Sequence, residues 1–177
     1  MHTLPPIFHI YNRATDRRTL FHSPENYVIF LKKMRRQLLP AADLLAYCVM
    51  PNHFHVLLCP KHPLVDGLPF TEKPLPRLPT DELSKAVQKW LMGYTKSYNL
   101  YYSMTGSRFC QHTRCKRHVG VRRGIDYIHN NPVAAGLVKH ADEWGYSSWS
   151  EHAGFVDQGD AICNLSLVHQ LHSFEQA

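Results

Sequence analysis

Long apolar runs are absent from this sequence, and none approaches the ~20 residues that a membrane-spanning helix requires. Its opening, Met1-His2-Thr3-Leu4-Pro5-Pro6, lacks the charged start and apolar stretch of a secretory signal. A regular cysteine framework is missing too: the five cysteines, Cys48, Cys59, Cys110, Cys115 and Cys163, are odd in number and unevenly spaced. Cys48 and Cys59 lie in apolar stretches, where a free thiol behaves as a small buried hydrophobe. A reducing compartment suits this usage better than a secreted, disulfide-stapled scaffold. Internal repeats and low-complexity tracts are also lacking. The expectation is a soluble, cytoplasmic protein that makes no use of a membrane.

Acid is scarce relative to base. The 20 Lys and Arg exceed the 14 Asp and Glu, for a net charge of +6. That excess points weakly to a polyanionic partner, because attraction to phosphate needs no particular fold. With 177 residues, 44% of them hydrophobic, the chain can bury a core, and disorder is not the default reading. One domain over residues 1–155 is expected, followed by a C-terminal extension over 156–177.

Residues 7–11 have the composition of a strand and lead into a polar turn holding Asn12, Arg13, Arg17 and Arg18. Ser23-Pro24-Glu25 predicts a helix start, with Ser as cap, Pro in the first turn and an acid facing the macrodipole. Apolar Val28, Leu31, Leu38 and Leu39 follow among basic residues, predicting an amphipathic helix that ends before Pro40. Residues 44–50 and 54–59, separated by Pro51-Asn52, predict an antiparallel hairpin. Six of the 12 prolines fall between residues 60 and 79, a density that only an extended loop accommodates. Thr80-Asp81-Glu82 opens a second helix with Leu83, Val87, Trp90, Leu91 and Tyr94 on one side. Residues 101–120 read as one or two strands with a turn at Gly106, and a third helix is expected over 121–131, stopped by Pro132. The order β-α-β-β-α-β-α predicts the α+β class. Its form would be a ferredoxin-like, or RRM-like, sandwich with an antiparallel sheet of about four strands and helices mainly on one face.

The sharpest local feature is Met50-Pro51-Asn52-His53-Phe54-His55-Val56-Leu57-Leu58. Strand alternation puts His53 and His55 on one face and Phe54 and Val56 on the other. Two imidazoles one strand repeat apart can meet a single cation and leave coordination positions open for substrate oxygens, as catalysis requires. With 13 histidines in the chain, a chance H-x-H is ordinary, and alone the pair fits two surface histidines equally well.

A second constellation is Asp126-Tyr127-Ile128-His129-Asn130-Asn131-Pro132-Val133-Ala134-Ala135-Gly136-Leu137-Val138. On a helix Tyr127 and Asn131 share a face, although Pro132 biases Asn131 away from helical geometry. A tyrosine hydroxyl attacks phosphorus once deprotonated or activated by a nearby cation, and the Asn131 amide oxygen offers that cation a further ligand. Alone, Tyr127 fits a core aromatic and Asn131 a helix-ending polar residue.

Together, and in this order, the two segments resemble the single-tyrosine transposases. More narrowly, they resemble the REP-associated tyrosine transposases of bacteria, members of the HUH (His-hydrophobe-His) nuclease class. Phe8-His9-Ile10-Tyr11-Asn12-Arg13 and Trp144-Gly145-Tyr146-Ser147-Ser148-Trp149 match as well, so the resemblance covers about residues 7–150. It implies a fold with the tyrosine helix in the C-terminal part, and catalysis by Tyr127, His53 and His55. His53, His55 and Asn131 would hold a divalent metal, Mg²⁺ or Mn²⁺. Tyr127 would cleave single-stranded DNA at hairpin-forming repeats, through a 5′-phosphotyrosine link that is passed to another end. The same resemblance implies a bacterial, nucleoid-associated location and favours a monomer, with a homodimer as the other possibility. The chain departs from the family pattern in a short interval between Lys116 and Tyr127. It also has Ala134 where an arginine is common, and a proline-rich loop that reads as an insertion.

Arg13, Arg108, Arg114, Lys116, Arg117, Arg122 and Arg123 are the candidate DNA contacts, and most of them fit a solvated basic surface as well. Tyr94, Tyr98, Tyr101, Tyr102 and Phe109 are candidates for stacking unpaired bases, with the core the favoured place for several of them. Cys110, His112, Cys115 and His118 have zinc-like ligand types but are crowded into one segment, unlike the divided knuckles of structural sites. Two other classes compete: a non-catalytic, RRM-like nucleic-acid-binding module, and a metal-dependent hydrolase that uses water.

Overall fold

Alternation along the first strand divides the molecule in two. In β1 (Ile7–Arg13), Phe8 and Ile10 enter one hydrophobic core while Ile7 belongs to another on the opposite face. The computed structural model describes residues 5–69, 73–157 and 159–176. After β1 come α1 (Pro24–Leu38), β2 (Ala42–Met50), β3 (His53–Pro60), α2 (Asp81–Tyr101), β4 (Arg114–His118), α3 (Val121–Ala134), α4 (Trp149–His152) and α5 (Leu165–Glu175). The four strands lie in the order β2-β3-β1-β4 with every neighbouring pair antiparallel, which is the split βαβ layout of a ferredoxin-like sandwich.

The two longest helices cover the first face. Tyr27, Phe30, Met34 and Leu38 of α1 meet Leu83, Val87, Trp90 and Tyr94 of α2 over Phe8, Ile10, Phe54 and Val56. Trp90 lies at the centre, 4.5 Å from the Phe30 ring and 4.7 Å from that of Phe54, and its indole N–H donates to the Phe30 carbonyl. At the start of α2 the Thr80 hydroxyl accepts from the Leu83 N–H. The buried stripe of α1 corrects the sequence reading. Val28 is exposed and Leu31 only partly buried, because the aromatic and Met positions, one residue out of phase, fill more core volume.

The second face carries α3 and α5. Val121 and Ile128 of α3 and Val168 and Leu171 of α5 pack on Leu45, Cys48, Met50 and Leu57. Leu45 and Ala46 both join this core because β2 bulges between Leu44 and Ala46. α3 runs through Pro132 rather than stopping before it. The proline has no N–H to give the Ile128 carbonyl, a single lost bond close to the end of the helix, and the turn still closes with the Ala135 N–H on the Asn131 carbonyl. Gly124 lets α3 lie close on the sheet. A β-carbon there would come within 2.8 Å of Leu57 Cδ2 and of the His118 ring.

Residues 144–149 cover the β2 edge: the Val49 N–H donates to the Tyr146 carbonyl, the Ser148 N–H to the Tyr47 carbonyl, and Tyr146 stacks on Tyr27 at 3.7 Å. The segment over residues 101–120 contributes a single strand, β4, and one isolated bridge between Ala14 and Phe109. No helix among the described residues is long and apolar enough to cross a membrane.

Candidate active site

His53 and His55 project from the second face of β3, with ring centroids 5.1 Å apart and planes nearly perpendicular. Each has its Nδ1 occupied. His53 Nδ1 lies 2.7 Å from Asn52 Oδ1, which can only accept, so the proton is on Nδ1 and Nε2 presents a lone pair. His55 Nδ1 lies 2.9 Å from Nε2 of His9, its neighbour on β1. In the tautomer where His55 donates, its Nε2 is a lone pair as well. Burial holds both His9 and His55 down to about 3, helped at His9 by the charge of His55 and Lys116 and at His55 by that of His53 and Lys116, and it lowers His53 too. All three rings are therefore neutral near pH 7, the form a metal ligand needs.

Tyr127 stands over His9 and His55. Its ring, about half exposed, lies edge-on 5.9 Å from the His9 centroid and 6.0 Å from that of His55. Gly124 and Ile128, on either side of it along α3, face the sheet and set the helix height, which leaves the Tyr127 ring against His9 of β1 and His55 of β3. Asn131 is helical, one turn on, and its amide nitrogen donates 2.7 Å to the Tyr127 carbonyl. The sequence-predicted nucleophile and histidine pair are thus brought together from residues far apart in the chain. Asn131 lies beyond them, lining a cavity on α3 with Tyr127, Arg123 and Trp149.

The candidate DNA contacts divide by strand register. Arg13 pairs with His53, Arg114 with Tyr11, and Lys116 with His9, so the three share the histidine face. Arg13 and Arg114, joined by Arg17, His112 and Tyr11, line a groove that runs up to His53. Arg123 lies one turn before Tyr127, also beside it. Three of the expected contacts are elsewhere. Arg117 pairs with Phe8 and so belongs to the face under α1 and α2. Arg108 sits over the Tyr98 ring at 5.7 Å, on the α2 side. Arg122 is exposed and paired with Asp126 at 3.9 Å.

Tyr94, Tyr98 and Phe109 are buried in the first core, and Tyr101 and Tyr102 end α2 on that side, so none of the five reaches the histidines. The zinc-like ligands separate for the same reason. Cys115 is buried under α1 and α2, while its neighbours Arg114 and Lys116 point to the opposite face. Among the described residues no group of three or more His, Cys, Asp or Glu could hold a metal.

Three residues of the site are given no role by the sequence: His9, Asn52 and Trp149. Strand alternation could have found His9, since it shares a face with Tyr11 and Arg13. Asn12 faces the other way and is buried; its amide bonds the Cys110 carbonyl and the Thr113 hydroxyl at 3.1 Å each, tying the loop that carries His112 to β1.

Fold and site together define a class: a ferredoxin-like sandwich with a histidine pair on a sheet face and a tyrosine-bearing helix laid across it. The solved structure of a REP-associated tyrosine transposase bound to a REP hairpin has this fold. It is 18% identical to the chain with a TM-score of 0.59, over 90% of this chain and 84% of that one. At that identity the likeness is one of fold. No family model matches the chain, and no curated protein matches it.

Proposed function

We propose that this protein cleaves and rejoins single-stranded DNA by metal-dependent transesterification at Tyr127. The observation that carries this reading is the position of the Tyr127 ring, within about 6 Å of both His9 and His55, on a face that also bears Arg13, Arg114 and Lys116. The residues fit a divalent cation: two neutral imidazoles side by side, each with Nδ1 engaged and Nε2 uncommitted. Two nitrogens suit Mn²⁺ better than Mg²⁺, and the remaining positions fall to phosphate oxygens and water, since Asn131 lines the cavity on α3 and not the histidine face. Such a cation, when bound, would polarise a phosphate oxygen and offset charge at the reacting phosphorus.

The chain's own groups do the rest. Arg13, Arg17 and Arg114 hold the strand's backbone in the groove leading to His53. Tyr127 Oη attacks the phosphorus, an O–P bond forms, and the P–O3′ bond breaks. The phenolic proton is lost to solvent, which reaches the half-exposed ring, and the leaving 3′ oxygen is protonated. One phosphodiester replaces another, so a second 3′-OH can reverse the step and no nucleotide triphosphate is needed. Because Tyr127 lies against histidines of its own chain, one chain supplies the whole set, in keeping with a monomer. The solved structure of similar fold holds a REP hairpin, and hairpin-forming repeats are the substrates we assign here.

The test is incubation with hairpin-tailed single-stranded DNA and Mn²⁺, followed by a denaturing gel. The reading predicts a slow-migrating protein–DNA adduct that disappears in Tyr127→Phe. Cleavage that survives that substitution would indicate a hydrolase using water. Binding without cleavage or adduct would indicate a nucleic-acid-binding module.

A further inference from the structure

Tyr127 borders two spaces. One is the histidine face; the other is a cavity beside α3, lined by Arg123, Asp126, His129, Asn130, Ala134 and Trp149 as well as Tyr127 itself, and by none of His9, His53 and His55. Its chemistry is that of a nucleotide site. Arg123 is exposed one helical turn before Tyr127 and offers a cation beside the phenol. Trp149 is partly exposed and supplies a flat aromatic surface; its ring is backed by Phe155 at 6.0 Å. Asn130 is exposed and carries both a donor and an acceptor suited to a base edge. Ala134 adds only a methyl group and leaves the space above it open.

The basic groove at His53 carries three arginines, Arg13, Arg17 and Arg114, whereas this cavity carries one, Arg123, together with the Trp149 indole. We infer that the cavity between α3 and Trp149 binds a nucleoside 5′-phosphate, namely the nucleotide on the 3′ side of the scissile bond. This rests on the transesterification reading. When Tyr127 Oη bonds phosphorus and the P–O3′ bond breaks, the nucleotide kept on the tyrosine is the one joined through its 5′ oxygen. The released 3′-OH strand stays in the His53 groove. The retained nucleotide then has its phosphate beside Arg123 and its base on Trp149, and the strand has one fixed polarity across the site.

The site can be tested without chemistry. Full-length protein in EDTA is titrated with thymidine 5′-monophosphate by calorimetry, with thymidine 3′-monophosphate as the control. Binding of the 5′ isomer should weaken about tenfold in Arg123→Gln and in Trp149→Ala, the loss of one stacked base or one phosphate contact, and be unchanged in Arg114→Gln. Arg123 is a surface residue, so that variant reports even if Trp149→Ala folds poorly. Absence of binding, equal binding of the two isomers, or dependence on Arg114 rather than Arg123 would overturn the inference. Failure of the parent reading is distinguishable: a Tyr127 adduct that never forms leaves nucleotide binding to be judged on its own. An adduct that forms with no nucleotide bound in this cavity removes the site and keeps the chemistry.

Discussion

His9 illustrates how a side chain can matter to the site without touching substrate. It is 3% exposed, sits 2.9 Å from His55 Nδ1, and its ring lies against Tyr11 and Tyr127 as well as His55. It fixes the tautomer and orientation of His55, so we expect His9→Ala to weaken Mn²⁺ binding about 10- to 100-fold, with partial rescue in His9→Gln. Calorimetric titration with Mn²⁺ checks this, and an unchanged affinity would show that His9 only packs. His53, His55 and Tyr127 were legible as residues because their spacing and order form a motif. His9 was not, because a lone histidine in an apolar strand carries no pattern, and its partner lies 46 residues away. Arg108 and Arg117 misled for the opposite reason: charge is visible in a sequence, but the face it occupies is decided by register.

At the scale of elements, the position of α3 sets the position of Tyr127. Replacing Gly124 by Ala would gain about 1 kcal/mol of helix propensity. It would also drive a β-carbon to 2.8 Å from the Leu57 side chain, which is fully buried and cannot retreat. Overpacking of this kind costs about 1–3 kcal/mol, so the clash outweighs the gain. Gly124→Ala is therefore expected to lower the urea midpoint and, by lifting the next turn of α3, to lower adduct yield. A midpoint raised with yield intact would contradict this. The start of α3 has its own support, since Gly120 offers no side-chain cap and the Glu175 carboxylate of α5 accepts from the Val121 N–H at 2.5 Å. Glu175→Ala should cost about 1 kcal/mol and speed amide exchange in the first turn of α3. Exchange unchanged at residues 121–124 would mean the contact contributes nothing.

Strands and helix starts were readable where local chemistry was strong. Ser23-Pro24-Glu25 does begin α1, and the Thr80 hydroxyl does cap α2. The α1 stripe and the end of α3 were misjudged because packing, rather than periodicity or proline alone, decided them. Tyr27 and Phe30 outcompeted Val28 for the core, and Pro132, which is buried against the rest of the fold, was admitted near the helix end at the loss of one backbone hydrogen bond.

At the scale of the whole molecule, buried histidines tie stability to pH. His129 is held to about 3, chiefly by burial and then by the nearby His152, and its Nε2 lies 2.8 Å from the Ser148 hydroxyl. In the unfolded chain the same ring takes a proton near 6.5. The unfolded state therefore binds more protons below that value. Stability is complete above pH 6.5 and is lost as pH falls toward 3, by up to about 1.4 kcal/mol per pH unit for this residue. Urea midpoints at pH 7, 6 and 5 should decline, less steeply in His129→Gln; a flat profile would contradict the assignment. The same whole-molecule topology places β1 between β3 and β4, and this carries His9, His53, His55, Arg13 and Arg114 onto one face. Order along the chain predicted that sheet, but it could not show which loops flank the face or that a second cavity opens behind Tyr127.

The central proposition is that the Tyr127 oxygen reaches a phosphate held at His53 and His55. Its most direct test is mass spectrometry of trypsin-digested protein after incubation with hairpin-tailed single-stranded DNA and Mn²⁺. The peptide over residues 124–139 contains one tyrosine, Tyr127. The account predicts a nucleotide-linked form of that peptide, lost in His53→Ala and His55→Ala. Cleaved DNA with the peptide unmodified, or an adduct mapped to another tyrosine such as Tyr11, would contradict it.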